Sequence, residues 1–175
     1  IEVLIDAINL LNKKKFPIRL DIVGSGPLEA KLKSLSKNNS NIRFLGWQLE
    51  SEVSNLMKSC LALVVPSKTA LNGDSEGLPT VILEAINLGT IVIASNHSGI
   101  PEIIVDEKTG LIFKEGDSKQ LSLKIMRAFE FNSKDKEAIT NNASKILNKR
   151  FNSMIQSKKL EELIINNINK MVAGE

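Results

Sequence analysis

Residues 61–94 read LALVVPSKTALNGDSEGLPTVILEAINLGTIVIA. The first five are apolar at every position, which predicts a strand covered on both faces. Pro66 and Ser67 stop that strand, and a long polar loop follows. Thr80–Leu88 reads as a helix, and Gly89 is placed to end it. Thr90–Ala94 reads as a second fully buried strand. A strand, a helix and a strand in this order predict a right-handed crossover between parallel strands.

The same alternation extends outward. Upstream, Ile1, Leu4, Ile5, Ile8 and Leu11 mark one apolar helix face. Ile18–Val23 is a short strand stopped by Gly24-Ser25-Gly26-Pro27, and Leu28–Leu35 is a helix with Leu28, Leu32 and Leu35 on one side. Asn38–Ser40 is turn chemistry, Asn41–Leu45 a strand closed by Gly46, and Glu50–Lys58 a helix with an imperfect capping box at Ser51. Downstream, Leu111–Phe113 is the last strand, followed by helices over Leu121–Phe129, Lys134–Asn148 and Ser153–Met171. The last of these carries Ile155, Leu160, Leu163, Ile164 and Ile168 on a face expected to pack. The fold class is therefore α/β: a Rossmann-like parallel sheet with helices on both faces, in one domain over 1–175. Ligands of such sheets bind at the carboxyl ends of the strands, which directs attention to loops 24–27, 46–50, 66–79 and 95–102.

Composition narrows the function. The chain has 175 residues, 23 Lys+Arg against 20 Asp+Glu, 42% apolar residues and 25% charged ones, as a soluble globular domain does. One cysteine, Cys60, excludes an internal disulfide, and one histidine, His97, excludes a two-histidine metal centre. Cys60 is expected to fill core space and His97 to be a loop hydrogen-bonder. No apolar run approaches the ~18 residues of a membrane span, and no signal peptide is expected. The lysines are scattered among acids, and aromatics are 4% with no tyrosine, which argues against nucleic acid as a partner. A helix starting at Ile1 without a cap suggests a chain cut from a longer one.

The chemistry concentrates in 66–85. Gly77 permits close approach of a ligand to the backbone, and Pro79 suits a first helical turn. The helix start then offers free N–H groups and partial positive charge, a site for phosphate. Glu76 and Glu84 bracket it, and a carboxylate that accepts two adjacent hydroxyls grips a ribose or hexose diol. Taken singly, Glu76 could be a solvated loop acid and Glu84 a dipole-favoured one. A dinucleotide fingerprint at Gly24-Ser25-Gly26 fails, because Glu29 stands where its third glycine would be.

Glu76 and Glu84 form an E-x7-E motif within PS-x(8)-EGLPTVILEA, continued by INLGTIVI over Ile86–Ile93. This resembles the retaining family-4 glycosyltransferases of the GT-B architecture. VGSGPLEAKLK (Val23–Lys33), NIRFLGW (Asn41–Trp47) and SNHSGIPEIIVDEKTGLIFKEGD (Ser95–Asp117) fit the same family in the same order. The long loop TALNGDSEGLP resembles the subgroup that builds colanic acid and other bacterial exopolysaccharides.

The resemblance implies a carboxyl-terminal domain that binds a nucleotide sugar, UDP- or GDP-hexose, with no further cofactor and no obligatory metal. Glu76 would be the catalytic position, contacting the donor hexose, and Glu84 would hold the ribose hydroxyls. Gly77, Leu78, Pro79 and Thr80 would lie along the sugar and diphosphate, with Pro79 offering no N–H. Trp47 and Gln48 would edge the base, Gly24 and Gly26 would shape the cleft wall, and contacts in loop 68–75 would select the hexose. Transfer would be retaining, to a glycan or lipid-linked acceptor. The family's diphosphate-binding Arg and Lys, its first strand and its amino-terminal acceptor domain are not matched here, so the chain alone is expected to be inactive. The whole protein is expected in the cytoplasm or peripherally at the inner face of the plasma membrane. The alternatives are a nucleotide-sugar epimerase or a phosphorylase of the same fold, and a non-catalytic nucleotide-sugar-binding module.

Overall fold

The computed structural model describes residues 1–70, 73 and 75–173, without the side chains of 153 and 169–173. Its elements run α1 (Glu2–Lys13), β1 (Leu20–Val23), α2 (Glu29–Ser36), β2 (Ile42–Gly46), α3 (Glu50–Ser59), β3 (Leu63–Val65) and α4 (Thr80–Asn87). Then follow β4 (Val92–Ser95), a 3-10 turn (Ile100–Glu102), β5 (Leu111–Phe113), α5 (Ser118–Glu130), α6 (Ser133–Arg150) and α7 (Ser153–Ala173). Every strand pairing among the described residues is parallel; α2 crosses over from β1 to β2 and α4 from β3 to β4, and a loop with the 3-10 turn joins β4 to β5. The strands form two sheets, β1-β2 and β3-β4-β5, so β1 and β3 are each paired on one side among the described residues.

Alternation along the strands divides the core. Ile91, Ile93, Leu111 and Phe113 face one side, where Leu4, Ile5, Ile8 and Leu11 of α1 and Leu121 and Ile125 of α5 cover them. Val65, Val92 and Ala94 face the other, under Ile82, Ala85 and Ile86 of α4 and Ala143 of α6. Successive side chains on a strand point to opposite faces, so β4 needs apolar residues throughout, and it has them. Helix α1 also reaches the two-stranded sheet: Asn9 and Asn12, one turn apart, accept from the side chains of Asn39 (2.8 Å) and Asn41 (3.2 Å) just before β2. Lys31 of α2, which follows β1, and Lys68, which follows β3, both bond Glu2 in the first turn of α1.

Several expectations are corrected. The strand expected over Leu61–Val65 is three residues long, and only Val65 is buried, because β3 has one pairing neighbour. Leu28 and Leu35 do not share the burial of Leu32; they are 55% and 44% exposed. Helix α3 is not capped at Ser51: the Glu52 carboxylate accepts the Leu49 backbone N–H at 3.0 Å. Cys60 is exposed at the end of α3 instead of filling the core. The apolar face expected on α7 does not pack: Ile155, Leu160, Leu163, Ile164 and Ile168 are 41%, 59%, 61%, 51% and 53% exposed. The Gly89 expectation holds, since Gly89 at φ 73° follows the last turn of α4.

Candidate functional site at the carboxyl edge

Helix α4 starts at Thr80 with buried Pro79 as its N-cap (φ −60°, ψ 125°), and no side chain caps it. Its first amides are thereby left to water or to an anion, and the helix dipole favours the anion. Thr80 and Gly77 are exposed and Leu78 is half-buried. Glu76 is exposed in the loop before the helix, and Glu84 is exposed on its second turn.

Glu84 lines an open groove of about 270 Å³ between α4 and α3, together with Glu50, Val53, Ser54, Asn87 and Leu88. This lies below the ~300–1,000 Å³ of sites that enclose a drug-sized ligand, so it suits one moiety of a larger molecule. Trp47 and Gln48 precede Glu50 by three and two residues, at the end of β2. Trp47 is 73% exposed. The Gln48 side chain donates to the Leu45 carbonyl at 2.7 Å, which fixes it against its own strand end. Gly24 (φ 104°) and Gly26 are exposed just beyond β1, and a Cβ at either would meet nothing within 4 Å. Glu76, Gly24, Gly26, Trp47 and Gln48 do not line the groove; Gly24, Gly26, Trp47 and Gln48 follow the ends of β1 and β2, on the edge where such sheets bind ligands, and Glu76 lies in the loop between β3 and α4. In loop 68–75, Leu71, Asn72 and Asp74 lie outside the described residues.

The loop before α4 is tied to its neighbours. Ser95 Oγ donates to the Ser67 carbonyl at 2.7 Å, and the Thr69 N–H donates to Glu115 Oε1 at 2.9 Å. His97 Nε2 lies 3.1 Å from Ser75 Oγ, and its Nδ1 lies 2.8 Å from Glu115 Oε2. The Gly99 N–H donates to the Gly77 carbonyl at 2.8 Å. Bonds from His97 and from the Thr69 amide hold the Glu115 carboxyl below its usual range. An ionised Glu115 can only accept, so His97 Nδ1–H donates to it, and in the neutral imidazole Nε2 then accepts from the Ser75 hydroxyl. His97 is thus a hydrogen-bonder, as expected, but a buried one at 5% exposure.

Sequence reasoning missed Glu115. A signal existed: β4 and β5 pair with Ser95 opposite Phe113, so His97 and Glu115 each stand two residues past that pair.

The profile of the family described as "Glycosyl transferases group 1" matches residues 1–146. The chain belongs to the group 1 glycosyl transferases. Among the relatives of this glycosyltransferase domain is the amylovoran biosynthesis glycosyltransferase AmsK of Erwinia amylovora, 32% identical over 128 residues, covering 71% of this chain and 31% of AmsK. WcaL of Escherichia coli, assigned to colanic acid biosynthesis, is 26% identical over 167 residues, covering 94% of this chain and 41% of WcaL. The crystal structure of Anabaena Alr3699/HepE in complex with UDP and glucose matches with a TM-score of 0.76 and 22% identity, over 94% of this chain and 44% of that one. The fold is that of the GT-B glycosyltransferases. The chain therefore spans 31% to 41% of the length of these curated relatives. Among the described residues, no helix is long and apolar enough to cross a membrane.

Proposed function

We propose that this chain is the carboxyl-terminal, donor-binding half of a retaining hexosyltransferase of bacterial exopolysaccharide synthesis, and that its donor is a UDP- or GDP-hexose. The observation that carries the reading is the uncapped start of α4 at the sheet's carboxyl edge, with Glu84 in a groove on one side and Glu76 in the loop on the other. The diphosphate lies at the amides of Gly77, Leu78 and Thr80, where the helix dipole offsets its charge. The ribose enters the groove and presents its hydroxyls to Glu84, and the base lies toward exposed Trp47 and Gln48. The hexose meets Glu76.

In transfer, the bond from the anomeric carbon to the diphosphate breaks and negative charge grows on the leaving oxygen. Fixed amides aimed at that charge stabilise the transition state more than the ground state. The acceptor hydroxyl oxygen bonds to the anomeric carbon on the face the diphosphate leaves, which gives retention, and its proton passes to the departing phosphate oxygen. The acceptor, a glycan or a lipid-linked sugar, is bound by the part of the whole protein that this chain does not span, so transfer needs that part as well. The whole protein works in the cytoplasm or at the inner face of the plasma membrane.

Calorimetry with UDP-glucose and GDP-mannose tests the reading. One of the two is expected to bind, and Glu84→Ala is expected to weaken it about tenfold to a hundredfold, the loss of a charged hydrogen-bond acceptor. Binding unchanged by Glu84→Ala would contradict the ribose assignment.

A further inference from the structure

We propose that His97 and Glu115 are positioning residues: together they clamp the loop before α4 at both ends and thereby set the place of Glu76 against the hexose of the donor. This rests on the donor-site reading above. Glu115 uses both carboxylate oxygens, one on the Thr69 N–H at 2.9 Å and one on His97 Nδ1 at 2.8 Å. His97 passes the constraint to Ser75, 3.1 Å from its Nε2. Thr69 lies near the start of the loop, and Ser75 directly precedes Glu76. One acid on β5's exit thus fixes two points that lie on either side of a polar stretch leaving β3.

A second tie acts on the other side of Glu76. The Gly99 N–H holds the Gly77 carbonyl at 2.8 Å, and the approach is so close that a Cβ on Gly99 would lie 2.9 Å from that oxygen. Glu76 therefore sits between two anchored neighbours, with its own side chain exposed and free to meet a ligand. The imidazole is only 5% exposed, so the ring is held in place by its surroundings, while its partners Ser75 and Glu115 remain reached by solvent. A Ser–His–Glu chain is also the arrangement that activates a nucleophile. Here the second bond of Glu115 to Thr69, and the tie of Gly77 to Gly99, decide for positioning, because both restrain the loop and neither serves Ser75 as a nucleophile.

A clamp on Glu76 acts on the sugar and not on the nucleotide, since the ribose is held by Glu84 in the groove. The comparison to make is UDP-glucose against UDP, or GDP-mannose against GDP, in the protein and its variants. The wild type is expected to prefer the nucleotide sugar. His97→Ala is expected to narrow that preference about tenfold while nucleotide affinity stays within about twofold. His97→Gln, which can still reach Ser75, is expected to restore part of it. Ser75→Ala is exposed and does not threaten folding, and it is expected to act in the same direction. Hydrogen exchange gives a readout independent of the donor: the amides of Thr69 and Gly99 are expected to exchange faster in His97→Ala. An unchanged preference in all three variants, or unchanged exchange at Thr69 and Gly99, would overturn the clamp. Accelerated exchange with no nucleotide bound by the wild type would instead overturn the donor-site reading and, with it, the effect on the hexose.

Discussion

The three-stranded sheet carries no charged residue in its strands, whereas the two-stranded sheet pairs Asp21 with Arg43, and the two differ in burial. β4, paired on both sides, is buried at all four positions. β1, paired on one side, is half-buried at three and exposed at Val23. Around β1 and β2, Val23, Leu28 and Trp47 remain 40%, 55% and 73% exposed. Beyond β3, β4 and β5 the loops are instead cross-tied through Ser67, Thr69, Ser75, Gly77 and Glu115. The difference teaches that burial along a strand follows pairing on both edges together with an unbroken run of uncharged residues. The loop that carries Glu76 leaves β3, itself paired on one side, and is held instead by its ties to the exits of β4 and β5.

The comparison can be broken by matched truncations. Ile93→Ala in β4 removes a side chain 1% exposed and is expected to cost about 2–5 kcal/mol in urea unfolding. Ile22→Ala in half-buried β1 is expected to cost about 1 kcal/mol. Equal losses would show that the two sheets are equally well supported. A smaller contrast comes from added bulk. A Cβ at Gly110 would lie 2.6 Å from the Val92 carbonyl, whereas one at Gly26 meets nothing within 4 Å. Gly110→Ala is expected to lower stability by about 1–3 kcal/mol, and Gly26→Ala by less than about 0.5 kcal/mol.

The smallest effect sharpens the link between the two regions. Lys31, from α2 of the two-stranded side, and Lys68, from the exit of β3, hold the Glu2 carboxyl at about 2, well below its usual value. A carboxyl whose folded value is depressed stabilises the fold above its unfolded value near 4.5, and that contribution fades as pH falls toward 2. The thermal midpoint of Glu2→Gln is therefore expected to lose part of this dependence between pH 4.5 and 2. The groups are largely solvated, so the change is small and shrinks with added salt.

Strand and helix order was legible because apolar spacing reports local periodicity. The helix start at Thr80 and the strand Leu111–Phe113 follow directly from it. Burial was not legible where it depends on a partner. Ile155, Leu160, Leu163, Ile164 and Ile168 share the spacing of a packed face, yet all five are more than 40% exposed. Spacing says which residues would pack, and only the fold says against what. Within the site, Glu76 and Glu84 were visible because their motif is contiguous in sequence. The bond from His97 to Glu115 spans 18 residues and exists only through the register of β4 on β5.

The central claim is that the open start of α4 receives the diphosphate of a nucleotide sugar, with Glu84 on the ribose. Amide NMR of the protein during titration with UDP-glucose, and separately with GDP-mannose, tests it most directly. The expected result is saturable shifts at Gly77, Leu78, Thr80 and Glu84 with one of the two ligands, and in Glu84→Ala those at Gly77, Leu78 and Thr80 saturate only at about tenfold to hundredfold higher ligand concentration. Saturable shifts confined to residues away from the carboxyl ends of β3 and β4, or none with either ligand, would contradict the account.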